Sequence, residues 1–192
     1  YFIRYNCTMS YSGTETSPGL EAIRTSIERV RQAFINQNNT SEGECLAGCV
    51  GLVYSLVKEG HLPLFEQILL IHGQQFIGDP IAGKFANHNM VFCREYQGNR
   101  FVISPSNFDT SDSEGIKVFQ AQNLAKLMST VREEFQGYWP YPFMGSSYVA
   151  PEIVRQNNQK ALKLSVAVWD EEGGSGFFIA TQPVHLFPIK DH

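Results

Sequence analysis

Three segments of the chain repeat their apolar residues at steps of three and four, the period of an amphipathic helix. The first begins at Ser17-Pro18, an N-cap serine followed by a first-turn proline. Its apolar face consists of Leu20, Ile23, Ile27, Val30 and Phe34. The second segment runs from Cys45 to Gly60, and the third runs from Gln122 to Gln136. The pattern therefore predicts three helices.

A period of two, typical of half-buried strands, marks two hairpins. His88–Tyr96 and Arg100–Ser104 flank the glycine-containing loop Gln97–Asn99. Leu162–Trp169 and Phe177–Gln182 flank the acidic stretch DEEGGSG. Shorter strands are predicted at Tyr1–Asn6, Ile116–Phe119 and Val184–Phe187.

Three further segments lack a strand pattern. Leu64–Ile71 is too apolar to be exposed, so we predict a short buried helix there. Gly73–Phe85 and Tyr138–Tyr148 carry the glycines and prolines of turns and loops. The element order predicts one α+β domain over residues 1–192, with helices packed on a mostly antiparallel sheet.

Composition narrows the classes of partner. The net charge is -4 and no basic stretch offsets it, which argues against nucleic acid and anionic membranes as partners. No run of about twenty apolar residues predicts insertion into a membrane. The four cysteines lack CxxC spacing, so we expect free thiols in a reducing compartment such as the cytosol. No cofactor or metal is predicted.

Cys45 is the strongest candidate for chemistry. The polar Thr40, Ser41 and Gly43 precede the second apolar segment and mark a helix N-terminus. Backbone N–H groups and the helix dipole at such a position stabilise a thiolate. Cys49 lies one turn further on, on the face of the apolar residues, and is predicted to be a packing residue. The alternative is that both cysteines are small core residues.

A cysteine nucleophile needs a base, an orienting partner for that base and an oxyanion donor. His88 opens the strand after the cysteine helix and is the candidate base. Ser104, on the return strand of the same hairpin, is predicted to lie beside the imidazole. Asn39 is the oxyanion candidate, although Gln37 and Asn38 compete with it.

These motifs resemble a known family. GECLAGCVGLVYSL, then HNMVFCREYQGNRFVISPSNFD, then a helix ending in EEFQGYW, are similar to the YopT-type papain-fold cysteine peptidases of bacterial effectors. The resemblance covers about Asn38 to Trp139 and leaves residues 149–192 as a closing hairpin region. It implies a papain-like fold, Cys45 as nucleophile, His88 as general base and a protein or peptide substrate. It also implies an enzyme that is secreted and acts in the cytoplasm of a host cell.

One position departs from the family pattern. The family's orienting aspartate falls on Ser104, which accepts a hydrogen bond but has no charge to stabilise imidazolium. Asn107 and Asp109 lie just beyond, and Asp109 is the alternative orienting residue.

Several functions therefore stay open. One is a cysteine protease, and another is a glutamine deamidase or transamidase that shares its first step. A third is an inactive scaffold that binds proteins through the aromatic residues of Tyr138–Phe143. The weakest alternative is a metal-dependent hydrolase using Cys45, Cys49 and a histidine.

Overall fold

The computed structural model describes residues 16–36, 45–77, 83–105, 116–135, 139–140, 149–170 and 177–189. Its helices are α1 (Pro18–Asn36), α2 (Cys45–Lys58) and α3 (Leu124–Glu134). Its strands are β1 (Phe65–Ile77), β2 (Lys84–Glu95), β3 (Arg100–Pro105), β4 (Ile116–Ala121), β5 (Trp139–Pro140), β6 (Glu152–Gln156), β7 (Gln159–Asp170) and β8 (Phe177–Pro188). The protein is thus α+β, as the sequence predicts.

All three predicted helices are confirmed. The backbone N–H of Leu20 donates to Ser17 Oγ at 3.2 Å, so Ser17 caps α1 as expected. Gly60 ends α2 with a φ of 75°, in the left-handed region that favours glycine. The N–H of His61 donates to the Leu56 carbonyl at 2.9 Å, which completes the helix end.

The strands form two antiparallel groups. β4, β3, β2 and β1 lie side by side in that order, and β6, β7 and β8 form a smaller group. A short parallel pairing of β1 with β7, at Leu70–Ile71, joins the two groups into one sheet. β5 adds to β1 at Gly73. The sheet is therefore mostly antiparallel, and both predicted hairpins are confirmed.

The helix predicted at Leu64–Ile71 is wrong, because β1 occupies Phe65–Ile77. This strand is covered on both faces. Ile68 and Leu70 belong to one apolar cluster, whereas Leu69 and Ile71 belong to another. A strand buried on both sides has no period of two, and its apolar run cannot be told from a buried helix by spacing alone. The segment predicted as irregular is in fact largely the continuation of β1 and the start of β2.

The C-terminal strands also differ from the prediction in detail. The separate strand predicted at Val184–Phe187 is the end of β8, which continues past a register shift opposite Leu164–Val166. An additional hairpin joins β6 to β7 through Asn157-Asn158, whose φ values are 50° and 62°. Asparagine tolerates this left-handed conformation, which a two-residue hairpin turn requires.

Two apolar clusters cover the opposite faces of β1, β2 and β3. On one face, α1 and α2 pack against the cluster that includes Val91 and Cys93. On the other face, α3 packs against the cluster that includes Met90 and Phe92. Consecutive residues of β2 therefore face different helices, and we name the two sides the α2 face and the α3 face. The predicted strand at Tyr1–Asn6 lies outside the described residues. So does the predicted loop at Tyr138–Tyr148, except for Trp139–Pro140, which pair with β1 as strand β5 instead.

Candidate functional site

Cys45 is the first residue of α2 and lies against the sheet. Its side chain is 9% exposed. The first turn of a helix has backbone N–H groups without intrahelical acceptors, and the helix dipole places partial positive charge there. The side-chain amide of Asn89, in β2, adds another donor: Nδ2 lies 3.4 Å from Cys45 Sγ. The sulfur therefore lies where several N–H dipoles favour negative charge.

Asn89 also connects Cys45 to a histidine on the neighbouring strand. His72 and Asn89 are direct cross-strand partners of β1 and β2. His72 Nδ1 and Asn89 Oδ1 lie 2.5 Å apart, within hydrogen-bonding distance. Asn89 is buried and His72 is half-buried. The α2 face thus carries a chain of three hydrogen-bonded side chains, Cys45, Asn89 and His72, which we call the thiol cluster.

His88 lies on the α3 face, on the other side of the sheet from Cys45. The β1–β2 register is regular past Gln67, so side chains alternate strictly here. The imidazole packs with its centre 4.9 Å from that of the Phe135 ring. The direct pairing of His88 with Cys45 expected from the sequence is therefore absent from this arrangement, because adjacent residues of one strand point to opposite faces.

His88 and Ser104 do lie together, as the hairpin spacing predicts. His88 Nε2 lies 2.9 Å from Ser104 Oγ. Both side chains are buried, with Ser104 at 0% exposure. Burial lowers the pKa of His88 to about 4, because the charged imidazolium loses its hydration. We call these two residues the buried pair; at neutral pH its histidine is uncharged.

Two of the predicted site residues, the oxyanion candidate Asn39 and the alternative orienting residue Asp109, lie outside the described residues. Their roles therefore stay predictions.

Cys49 and Cys93 are core residues. Both side chains have 0% exposure, and both thiols are free. Burial raises the pKa of each thiol well above its ordinary value, and the neighbouring Cys45 and Glu95 respectively add to that effect. Neither thiol ionises at physiological pH, and of the three cysteines that the structure describes, Cys45 is the one at a helix N-terminus with a polar neighbour. The prediction that Cys49 is a packing residue is confirmed.

Metal and membrane sites were sought in the same part of the chain. Within the described ranges, no three His, Cys, Asp or Glu side chains come together so as to hold a metal ion. The alternative with Cys45, Cys49 and a histidine as ligands therefore has no support in these ranges. Among the helices that the structure describes, none is long and apolar enough to cross a membrane.

Sequence reasoning missed two members of the thiol cluster. The alternation of HNMVF puts Asn89 on the same face as Val91 and Cys93, but the strand does not show that the cysteine helix covers this face. His72 is a weak candidate in the sequence because the segment before it, Leu64–Ile71, is predicted to be a helix rather than a strand.

Comparison with protein-family models, with curated proteins and with solved structures found no match to this chain. The thiol cluster is therefore the feature of this chain from which a function is inferred.

Proposed function

We propose that this chain is a papain-like thiol enzyme that attacks amide carbonyls of a protein or peptide substrate through Cys45. The observation that carries the proposal is the 3.4 Å contact between Asn89 Nδ2 and Cys45 Sγ at the first residue of α2. A sulfur in contact with an amide N–H and next to a helix N-terminus is in the environment that activates cysteine nucleophiles.

His72, rather than His88, is the base in this proposal. It is the histidine of the α2 face, and it shares Asn89 with the sulfur. Half-buried, it has contact with solvent through which a proton can leave. In chain order the three residues are cysteine, histidine and asparagine, from a helix and two neighbouring strands. Papain-like peptidases combine the same three residue types, which supports a papain-like interpretation of this α+β chain.

The reaction begins when the Cys45 thiol passes its proton through solvent to Nε2 of His72, since Asn89 is hydrogen-bonded to both the sulfur and Nδ1 of the ring. The thiolate attacks the carbonyl carbon, an S–C bond forms, and the C–N bond breaks as the amine leaves with the proton from the imidazolium. Water then hydrolyses the thioester in a peptidase or a glutamine deamidase. In a transamidase a second amine takes the acyl group, so these reactions share the step that Cys45 performs.

An acyl-enzyme experiment tests the proposal. The protein is incubated with a library of peptide amides and quenched in acid, and the adducts are mapped by mass spectrometry while released ammonia is assayed. We expect an acyl adduct on Cys45 and its loss in Cys45→Ala. Iodoacetamide labelling provides a second readout, in which Cys45 should react faster at pH 6.5 than the thiol of glutathione. Failure of both readouts would overturn the proposal.

The second candidate is a binding scaffold that has lost its activity. It is favoured by the position of His88 on the α3 face, away from the thiol that the family resemblance assigns to it. An unreactive Cys45 together with unchanged structure in Cys45→Ala would support this candidate.

A further inference from the structure

The side-chain amide of Asn89 has two chemically different ends, and each end meets one member of the thiol cluster. Nδ2 lies 3.4 Å from Cys45 Sγ, and Oδ1 lies 2.5 Å from His72 Nδ1. The amide is 4% exposed and is fixed between a helix and a strand. An amide nitrogen only donates, and an amide oxygen only accepts. The states of the two neighbours are therefore linked through Asn89.

The oxygen end determines the tautomer of the histidine. Because Oδ1 has no proton, the hydrogen bond requires that Nδ1 of His72 be the protonated ring nitrogen. In a neutral imidazole the other nitrogen, Nε2, then has no hydrogen. This tautomer makes Nε2 the atom that takes a proton.

The nitrogen end determines which state of the sulfur is favoured. An N–H directed at Sγ stabilises a thiolate, which is an acceptor, more than a thiol. If the amide turned over, its oxygen would face the sulfur and accept from a thiol, and its nitrogen would donate to Nδ1 of His72. In the first orientation of the amide, Cys45 is favoured as a thiolate and His72 has its proton on Nδ1, so Nε2 is the basic nitrogen. In the second orientation, Cys45 is favoured as a thiol and His72 has its proton on Nε2.

We propose that Asn89 is a positioning residue that couples the thiolate of Cys45 to the Nδ1-protonated tautomer of His72. The inference rests on the proposed function, in which Cys45 is the nucleophile and His72 is the base. The protonation state of Cys45 and the tautomer of His72 are linked, because both depend on the orientation of one buried amide.

The first test uses the unaltered protein. Nitrogen-15 NMR of the histidine side chains, with His72→Gln for assignment, reports which ring nitrogen of His72 carries the proton at pH 8. We expect Nδ1 to be protonated. A His72 protonated at Nε2 would overturn the inference, and this outcome needs no variant of Asn89 to fold.

The second test is Asn89→Asp, which preserves side-chain shape but replaces the donor with a second acceptor. The carboxylate still accepts from His72 Nδ1, but it presents negative charge to the sulfur. We expect iodoacetamide labelling of Cys45 at pH 6.5 to slow by about tenfold or more, and the pH profile of labelling to move to higher pH. The matched control is Asn87→Asp, on the same strand and the same face, where the side chain is exposed. Because solvent screens this charge, labelling should change by less than about twofold.

Equal labelling of the Asn89→Asp variant and the unaltered protein would overturn the inference. Asn89→Ala serves as a second variant, in which both hydrogen bonds are lost; it should slow labelling less than Asn89→Asp because it introduces no charge. Labelling and NMR need no substrate. These two measurements therefore test the role of Asn89 separately from the acyl-enzyme experiment, which tests whether Cys45 is a nucleophile.

Discussion

Two neighbouring residues of β2, His88 and Asn89, belong to two polar clusters that the sheet separates. On the α2 face, Asn89 contacts a cysteine at a helix N-terminus and a half-buried histidine. On the α3 face, His88 is hydrogen-bonded to Ser104 and packs on an aromatic ring. Both clusters combine a histidine with a nucleophilic residue type, but their surroundings differ.

The difference shows why proximity of two residue types does not make a reactive site. Ser104 has 0% exposure, and burial lowers the pKa of His88 to about 4. The buried pair is therefore a satisfied polar contact within an apolar core, where its hydrogen bond prevents the cost of an unpaired group. The thiol cluster has the dipoles of α2 and a histidine with access to solvent.

The same face of β2 holds the N-termini of two helices. In the middle of the strand Asn89 contacts Cys45 of α2. At its C-terminal end Glu95 accepts the backbone N–H of Gly19, in the first turn of α1, at 2.7 Å. Two polar side chains of one strand thus contact the two helix starts, and Val91 and Cys93 between them belong to the core.

The largest predicted effects compare the two histidines in catalysis. We expect Cys45→Ala to lower the rate of acyl transfer by about a thousandfold or more, because it removes the nucleophile. His72→Ala should lower the rate by about a hundredfold, because it removes the base. His88→Gln should change the rate little, since its side chain lies on the other face. Initial rates measured with the peptide that acylates Cys45 check this order. A larger loss in His88→Gln than in His72→Ala would reverse the assignment.

A second prediction concerns the pH dependence of stability. The pKa of His88 is about 4 in the folded protein and about 6.5 in the unfolded chain. Between these values the unfolded chain binds a proton that the folded protein does not. Stability is therefore full above pH 6.5 and falls as pH decreases toward 4, by as much as about 3 kcal/mol.

Urea unfolding at several pH values between 7 and 4 measures this loss. His88→Gln cannot titrate at this position, so its free energy of unfolding should fall less over the same window. Cys45→Ser serves as the control on the other face and should retain the slope of the unaltered protein. Parallel slopes in the unaltered protein and in His88→Gln would contradict the prediction.

The three helices were predictable from the spacing of their apolar residues, because burial on one face produces a period. The two hairpins were predictable from runs of β-favouring residues on either side of glycine-containing turns. β1 was not predictable in this way, since Leu69 and Leu70 are both buried on opposite sides. Its neighbours in three dimensions, rather than its sequence, decide that it is a strand.

The candidate site was predictable only in part. Cys45 followed from its place before an apolar helix, and the contact between His88 and Ser104 followed from hairpin spacing. The pattern of residues along β2 did not show which of its faces the cysteine helix covers. Both faces are apolar, so nothing in the strand itself says whether His88 or Asn89 meets Cys45.

A third prediction tests the contact between Glu95 and the first turn of α1. Glu95 is 3% exposed and also accepts from Asn99 Nδ2 at 2.6 Å. Glu95→Gln replaces one acceptor with a donor and removes the charge that favours the N-terminus of α1. We expect a loss of about 1–3 kcal/mol in the free energy of unfolding, measured in urea.

Gly19→Ala probes the same contact from the helix. An added Cβ would lie 2.2 Å from Glu95 Oε1, so the carboxylate must leave its hydrogen bond. The double variant should lose less stability than the sum of the two single losses, because both act on one contact. Additive losses would show that the contact contributes little.

The smallest predicted effect on reactivity comes from restoring the family's residue on the α3 face. If His88 were the base, Ser104→Asp would supply the missing charge and increase the reactivity of Cys45. In this structure an aspartate at that position lies beside the buried histidine, whose imidazolium it would stabilise, and opposite Lys117 of β4, on the face away from Cys45. Labelling of Cys45 by iodoacetamide should therefore change by less than about twofold, while the pKa of His88, followed by NMR, rises. Ser104→Ala provides the companion measurement if the charged variant does not fold. It should cost about 1 kcal/mol of stability and leave labelling unchanged, whereas altered labelling in either variant would connect the two faces.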